Sequence, residues 1–234
     1  MTIRVVLVPA GAEYRAVKRG LKRVEKQPQV VAIPAGPQAA ERFLEEWVRT
    51  SLLPESEVLL MGLGGSLSAQ YGIGSVLVMG RVWNAFERQE RLSHLCDSEL
   101  SAEIAERLGT EIGVGVTCDR VITTVKEKKA LCDRYQAQVV DMESFALLKV
   151  LSHHRANHRN SHTANHSVAI LRVISDSCFH DLPDISEALA PNGSLKTMTL
   201  LSNFSKQPVA ALRLIYGSLK GLKALEQVAY KLFL

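Results

Sequence analysis

The chain has 234 residues, of which 47% are hydrophobic and 22% charged, and its formal net charge is +4. This length and composition predict one globular domain over residues 1–234, large enough to bury a full core. The net charge is small for this size, which disfavours a nucleic-acid-binding protein. No apolar run approaches the roughly 18–20 residues that a membrane span needs, so we expect no membrane span.

The cysteines and the N-terminal segment indicate the compartment. No two of the four cysteines form a CxxC pair, and Met1–Pro9 has the pattern of a strand instead of a signal peptide. We therefore expect reduced thiols in a cytoplasmic protein. Basic residues concentrate at Arg15–Lys26, where they alternate with apolar positions as on the solvated face of a helix. An anionic binding surface is the alternative for this segment.

Strand-like and helix-like apolar patterns alternate along most of the chain. The predicted strands are Ile3–Pro9, Val30–Pro34, Glu57–Met61, Ser75–Trp83, Ile112–Cys118, Val121–Val125, the apolar run that opens VVDMES at Val139–Ser144, and Val168–Asp176. The predicted helices are Ala12–Lys26, Gly36–Ser51, Leu100–Leu108, Lys126–Arg134, Met142 to about His154, and closing helices within Leu200–Leu234. This alternation predicts an α/β layered fold with a largely parallel sheet.

Three carboxylates follow predicted strands. Glu13 comes after the first strand, and Glu143 and Asp176 come at the ends of two later ones. The last strand also carries Arg172 and Ser175. An α/β sheet builds its reaction site from such groups at the carboxyl ends of buried strands. The pattern therefore indicates an enzyme more than a binding module.

A glycine-rich segment, GLGGSLS at Gly62–Ser68, follows the third predicted strand. It lacks the Lys-Ser/Thr of a Walker loop and does not open a long helix in the dinucleotide manner. Glycines after a strand let the backbone approach a ligand and present its N–H groups, which makes Gly64, Gly65 and Ser66 candidate ligand contacts. A tight turn without a ligand is the alternative.

Histidines recur in a polar insert at Ser152–Ser167, namely His153, His154, His158, His162 and His166. On a continuous helix, a spacing of four residues would align the imidazoles on one face, and such a stripe can bind zinc, nickel or copper. The insert is also rich in Asn, Ser and Thr, which favour turns, and it lacks the carboxylates or cysteines that usually complete a metal site. We expect a solvated loop without a metal; a metal site and a pH-sensitive surface are the alternatives.

Six segments with recognisable motifs occur in order along most of the chain: VPAGAEYRAV, IPAGPQAA, MGLGGSLSAQYGIGSVLV, CDRVITT, VVDMES and LRVISD. Together they resemble the nucleoside phosphorylase and nucleosidase superfamily, which includes purine nucleoside phosphorylases and methylthioadenosine/S-adenosylhomocysteine nucleosidases. The ordered set is more specific than any single motif. The tail segments DLPDISEALAPNGSLK and KQPVAALRLI also resemble those of the hopanoid-associated phosphorylase-like branch.

The resemblance implies a three-layer phosphorylase/nucleosidase-type fold with a mixed, largely parallel central sheet flanked by helices. It implies cleavage of the N-glycosidic bond of a purine-type nucleoside or adenosyl conjugate, with no metal or organic cofactor. Positive charge then develops on the ribose and negative charge on the base, as in glycoside hydrolysis, where carboxylates flank the reacting bond. A small-molecule nucleoside partner and a homo-oligomeric state are further implications.

The resemblance also implies roles for individual residues. Asp176 would be the general acid that protonates the base, and Arg172 would orient the acidic groups, while Ser175 would hold the loop of Asp176. Glu143 would bind the ribose hydroxyls, and Met142 would pack under the ribose. Each has a structural alternative: a turn cap for Asp176, an ion pair for Arg172, a carboxylate at a helix N-terminus for Glu143, and core packing for Met142.

The resemblance also implies which group activates the attacking nucleophile. Glu13 would be the base that activates water, with a first-turn helix acid as its alternative. In phosphorylases an arginine precedes the glycine loop, whereas Leu60 or Met61 stands there in this chain. The negative charge of Glu13 would also repel phosphate, so we expect a nucleosidase, with a phosphate-dependent phosphorylase and a non-catalytic nucleoside-binding protein as alternatives.

The base pocket departs from the family pattern. Val121 stands near the place of the usual aromatic residue, and Phe179 is the candidate to stack on the base instead. Ser75 replaces a common structural aspartate of the family. Both departures suggest an unusual substrate or a changed activity.

Overall fold

The computed structural model describes residues 3–51, 56–86, 92–157, 166–183 and 207–234. Within these residues the helices are α1 (Ala12–Leu21), α2 (Pro37–Thr50), α3 (Ser98–Leu108), α4 (Val125–Tyr135), α5 (Ser144–Asn157) and α6 (Pro208–Phe233). The strands are β1 (Ile3–Pro9), β2 (Gln29–Ile33), β3 (Glu57–Ser66), β4 (Val76–Asn84), β5 (Ser93–Leu95), β6 (Glu111–Thr117), β7 (Val139–Asp141) and β8 (Ser167–Asp176).

All eight strands join one mixed sheet that curls back on itself. Strand β3 pairs with β8, β8 with β4, β4 with β6, β6 with β7, and β7 with the end of β3, so these five strands close a ring. Strands β1 and β2 extend the sheet beyond β3, and β5 extends it beyond β4. Five of the pairings are parallel and three are antiparallel, which confirms the predicted mixed, largely parallel sheet.

Helices cover both faces of the sheet because the strand side chains alternate between them. In β1, Val5 and Leu7 pack into a core with α2 and α5, whereas Val6 and Val8 pack into a second core with α1, α3 and α6. The near-continuous apolar run of β1 is therefore the pattern of a strand that is buried on both faces. This three-layer arrangement confirms the predicted fold class.

The predicted strand at Val121–Val125 is wrong. These residues pair with no strand in the described part of the chain, and Val125 already begins α4. The side chain of Thr124 accepts a hydrogen bond from the backbone N–H of Glu127, which caps the helix. The β-branched composition predicts a strand, but Thr124 caps a helix that begins at Val125.

The glycine-rich segment is also different from its expected form, because β3 continues through it to Ser66. The glycines allow close packing inside the ring of strands: a Cβ atom on Gly64 would lie 2.7 Å from Cγ2 of Val139. A Cβ atom on Gly65 would lie 3.2 Å from both carboxylate oxygens of Asp176. Small residues are therefore needed here for strand packing, whether or not a ligand binds.

The closing segment forms one long helix, α6, that packs tightly against the end of β8. A Cβ atom on Gly217 would overlap the carbonyl oxygen of Ser175, and one on Gly221 would lie 3.4 Å from the carbonyl oxygen of Ile174. This contact brings one face of α6 over the end of the sheet. Among the described residues, no helix combines the length and apolar character of a membrane-spanning segment.

Candidate active site

A cavity of about 420 Å³ lies where β1, β3, β7 and β8 end. The predicted residues that line it are Glu13, Gly64, Gly65, Val121, Met142, Glu143, Ser175 and Asp176. Residues of α6 close one side, including Leu214, Ser218 and Leu222. The three carboxylates that the sequence singled out therefore meet in one space.

Glu13 lies in the first turn of α1, directly after β1. Its Oε2 accepts a hydrogen bond of 2.6 Å from the backbone N–H of Leu63. The residue as a whole is half-buried, yet burial of the carboxylate and the nearby negative charge of Glu143 raise its pKa to about 7. A carboxylate with this pKa can exchange protons near neutral pH.

Arg172 lies behind the cavity wall and organises two acids. The side chain is fully buried on β8, where its Nε donates a 2.7 Å hydrogen bond to Oδ2 of Asp141. Its Nη2 donates to Oε2 of Glu143 at 3.2 Å and to Oγ of Ser144 at 3.1 Å. The planar guanidinium thus links Asp141, Glu143 and Ser144 in the segment that follows β7.

Asp141 anchors this cluster to the sheet. Its Oδ1 accepts a 2.6 Å hydrogen bond from the hydroxyl of Thr117, its register partner on β6. The hydroxyl of Ser144 bonds to Oδ2 of Asp141 at the start of α5. Asp141 therefore satisfies the buried charge of Arg172, as a buried guanidinium requires.

Glu143 is held from two sides. Its Oε1 accepts a 3.1 Å hydrogen bond from the backbone N–H of Gly36, which precedes α2, and its Oε2 bonds to Arg172. Burial raises the pKa of the Glu143 carboxyl, while the positive charge of Arg172 acts against this shift. Because β7 runs antiparallel to β3, the chain reaches Glu143 in the direction opposite to that of β3 and β8.

Asp176 faces the cavity because of an irregularity in β8. Ile174 pairs with Gly64 and Asp176 pairs with Gly65, so Ser175 is an extra residue between two register positions. A bulge of this kind re-aims the side chain that follows it. The hydroxyl of Ser175 donates to Oδ1 of Asp176 at 3.2 Å.

Lys128 was missed by the sequence analysis. Its ammonium forms an ion pair with Oδ2 of Asp176 and donates a 2.8 Å hydrogen bond to the carbonyl of Ser177. Burial raises the pKa of Asp176, and the charge of Lys128 opposes that increase. Helical spacing could have indicated its burial. Lys128 follows Val125 by three residues and precedes Tyr135 by seven, which places all three on the same face of α4.

Two predicted contacts lie outside this cavity. Ser66 is fully buried, and its hydroxyl donates to the carbonyl oxygen of Ser68 at 2.8 Å. Phe179 is 64% exposed and borders a neighbouring space of about 480 Å³ together with His180 and Arg213. Ser66 is the last residue of β3, and Phe179 lies three residues beyond the end of β8 at Asp176.

The histidine insert is described only in part. His158 and His162 lie outside the described residues, while the rings of His154 and His166 have centroids 6.0 Å apart. In the described part of the chain, no three His, Cys, Asp or Glu side chains are grouped to hold a metal ion. The alternatives for this insert therefore stay predictions.

Comparisons with known proteins give the fold a family. A sequence model of the phosphorylase superfamily matches residues 24–192. No curated protein sequence matches the chain. A futalosine hydrolase of Helicobacter pylori strain 26695 is 14% identical and has a TM-score of 0.65, over 98% of this chain and 97% of that chain.

Two methylthioadenosine/S-adenosylhomocysteine nucleosidases are similar to the same extent. The Helicobacter pylori protein is 15% identical with a TM-score of 0.63, over 97% of this chain and 95% of that chain. The Neisseria meningitidis protein is 13% identical with a TM-score of 0.63, over 97% of both chains. At these identities the likeness establishes the fold. Since the superfamily model spans well over half of the sequence, the chain belongs to the phosphorylase superfamily.

Proposed function

We propose that the protein cleaves the N-glycosidic bond of a purine-type nucleoside or adenosyl conjugate, with water as the nucleophile. The observation that carries this proposal is the convergence of Glu13, Glu143 and Asp176 on one cavity of about 420 Å³. Departure of the base leaves positive charge on the ribose and puts negative charge on the base. Separate acidic groups can stabilise the first charge and protonate the second.

Asp176 is the proposed general acid. Asp176 is 9% exposed, and burial raises the pKa of its carboxyl, which makes this group easier to protonate than an exposed aspartate. The absence of a side chain at Gly65 lets the backbone of β3 lie next to the carboxyl, since a Cβ atom there would lie 3.2 Å from both of its oxygens. The charge of Lys128 acts against this increase in pKa.

Glu143 and Met142 form the proposed ribose site. Each carboxylate oxygen of Glu143 accepts one protein hydrogen bond and keeps acceptor capacity for a ribose hydroxyl. The bonds from Gly36 and Arg172 hold the carboxylate in one orientation, so little ordering is needed when substrate binds. The negative charge also favours the cationic ribose of the transition state.

Water is the proposed nucleophile because Glu13 is an anionic base, not an anion-binding group. A pKa of about 7 allows Glu13 to take a proton from water at neutral pH. Leu60 and Met61, at the positions matching the phosphorylases' arginine, are fully buried in the two cores. The guanidinium of Arg172, in turn, is bonded to Asp141 and Glu143, which leaves less of its charge for a phosphate.

Substrate class, location and assembly are parts of the same proposal. The similar nucleosidase of Neisseria meningitidis was solved with methylthio-immucillin-A, which supports a nucleoside as substrate here. All four cysteines are free thiols, which supports a reducing, cytoplasmic location. Family resemblance supports a homo-oligomer.

Release of free base tests the proposed reaction. Purified protein is incubated with methylthioadenosine, S-adenosylhomocysteine, adenosine and inosine, with and without phosphate, and free base is measured by chromatography. We expect release without phosphate and a loss of about 10²–10⁴-fold in Asp176→Asn. Asp181→Asn is the matched control, because the amide oxygen can still accept the hydrogen bond that Asp181 receives from Val125.

Each other outcome has a distinct meaning. Release that depends on phosphate would identify a phosphorylase and contradict the assignment of Glu13 as water-activating base. Nucleoside binding without release of base, unchanged in Asp176→Asn, would identify a non-catalytic binding protein.

A further inference from the structure

Lys128 is a buried cation at an energetically unfavourable place. Its residue exposure is 1%, and it lies in the first turn of α4. Burying an ammonium costs several kcal/mol unless it is paired, and the positive end of the helix dipole adds to this cost. An apolar side chain of similar volume would usually stabilise such a position as well or better. The lysine therefore calls for an explanation beyond packing.

The ammonium is aimed at the proposed acid. It pairs with Oδ2 of Asp176 and bonds to the carbonyl oxygen of Ser177, the next residue. The other carboxylate oxygen, Oδ1, accepts from Ser175, and the carboxylate as a whole belongs to the cavity wall. Lys128 does not line the cavity itself, so any effect on the substrate passes through Asp176.

Independent contacts hold α4 and the end of β8 together. The backbone N–H of Val125 donates a 2.7 Å hydrogen bond to Oδ1 of Asp181, and the N–H of Leu182 donates to the carbonyl of Thr123 at 2.8 Å. The first turn of α4 is thus tied to the segment that follows Asp176. The position of Lys128 relative to the acid is set by the backbone, not by the ion pair alone.

Two neighbouring acids have partners of their own. Glu127 on α4 is paired with Arg120, and Asp181 is bonded to the helix N-terminus. Burial, and to a lesser degree Asp133 and Cys178, raise the pKa of Cys132 on α4. Of these elements, Lys128 is the group whose charge acts on Asp176.

We propose that Lys128 is a positioning residue that holds Asp176 toward the substrate and supplies the proton that Asp176 delivers to the departing base. This inference rests on the proposed function. The glycosidic bond breaks with its electron pair on the base, and the base gains one proton from Asp176. Asp176 receives one proton from the ammonium of Lys128, which becomes a neutral amine.

The remaining atoms balance through the water molecule. Its oxygen bonds to the anomeric carbon, and its proton goes to Glu13. After product release, Glu13 returns this proton to solvent and Lys128 takes one from solvent. The lysine–aspartate pair thus donates one proton per turnover while keeping the resting site an ion pair.

Two substitutions separate proton supply from charge. Lys128→Met removes both, and Lys128→Arg keeps the charge but does not give up a proton at accessible pH. We expect both variants to lose about 10²-fold in kcat. In Lys128→Met, the alkaline limb of the pH profile should move to lower pH, because Asp176 alone then has to retain the proton.

A purely electrostatic or structural role predicts the opposite shift. Removing a positive charge beside Asp176 would raise its pKa, so the alkaline limb of Lys128→Met would move to higher pH. Lys128→Arg would then keep nearly wild-type kcat. Either result would overturn the proposal.

The controls distinguish the possible failures. Lys129→Met alters the exposed neighbouring lysine and should leave the kcat and pH profile unchanged. Thermal unfolding by circular dichroism checks that each variant folds. If Lys128→Met does not fold, the kcat of Lys128→Arg tests the proposal instead. A wild-type protein that releases no base from any nucleoside would overturn the proposed function itself, whereas active wild type with unaffected Lys128 variants would overturn only the role of the lysine.

Discussion

Gly62 and the guanidinium of Arg172 are in such close contact that no Cβ atom fits between them. An ideal Cβ on Gly62 would overlap Nη1 of Arg172 and lie 2.7 Å from Oε2 of Glu13. Arg172 is fully buried and bonded on its other side to Asp141 and Glu143, so it has no free space to move into. The glycine is therefore part of the geometry that holds the acids together.

Replacing Gly62 by alanine should disturb both stability and activity. We expect Gly62→Ala to lower the free energy of unfolding by about 1–3 kcal/mol, because the added methyl group displaces a packed guanidinium. Base release should fall as Glu143 loses its orientation. Gly72→Ala is the control, since a Cβ there meets nothing within 4 Å. Equal urea unfolding curves for the two variants would show that the contact is not rigid.

The pH dependence of activity should report the titration of Glu13. The proposed base acts in its ionised form, and its pKa is raised to about 7 by burial and by the charge of Glu143. The value of kcat/KM should therefore fall below about pH 7, since protons then occupy the base. An acid limb near the ordinary glutamate value of 4.5 would mean that the carboxylate is hydrated in solution.

Glu13 should reduce stability at neutral pH. Its folded-state pKa is raised from 4.5 to about 7, so the folded protein binds this proton more tightly than the unfolded chain. The resulting stabilisation is complete below pH 4.5 and is lost as the pH rises to 7. Glu13→Gln avoids this loss and should be more stable than wild type at pH 8 by about 1–3 kcal/mol, with little difference near pH 4.5.

The same substitution should abolish base release, which would separate stability from activity at one residue. Denaturant unfolding at both pH values measures the effect on stability. Glu25→Gln, at an exposed position, is the control and should change stability at neither pH. A Glu13→Gln protein that is less stable at pH 8 would indicate that the bond from Leu63 outweighs the cost of burial.

The packing of α6 on β8 should be sensitive to one methyl group. A Cβ on Gly217 would overlap the carbonyl oxygen of Ser175, which is backbone and has little freedom to shift. Gly217→Ala should destabilise the protein by about 1–3 kcal/mol and raise KM, because α6 also forms a wall of the cavity. Lys223→Ala, on the exposed face of the same helix, should change the free energy of unfolding by less than about 0.5 kcal/mol. Wild-type values for Gly217→Ala would show that the helix can move without affecting the site.

The helices and strands that form the layers could be predicted because their signals are local. The apolar run of β1 is the pattern of a strand that is buried on both faces, and Glu13 follows it in the first turn of α1. The carboxylates at the ends of β7 and β8 were found for the same reason. The β-branched segment at Val121–Val125 was predicted wrongly, since its cap and its lack of a partner strand outweigh local propensity.

The closure of the sheet and the environment of Asp176 were decided by tertiary structure. Pairing of β7 with the end of β3 joins residues more than 70 positions apart, and no local pattern determines that register. Lys128 meets Asp176 across 48 positions, on a helix whose composition resembles a solvated one. The amino-acid sequence by itself determined most of the helices and strands and the carboxylates that follow the strands, because those depend on short-range periodicity. Only the packed structure decided which charges pair, because burial makes pairing obligatory and long-range contacts select the partner.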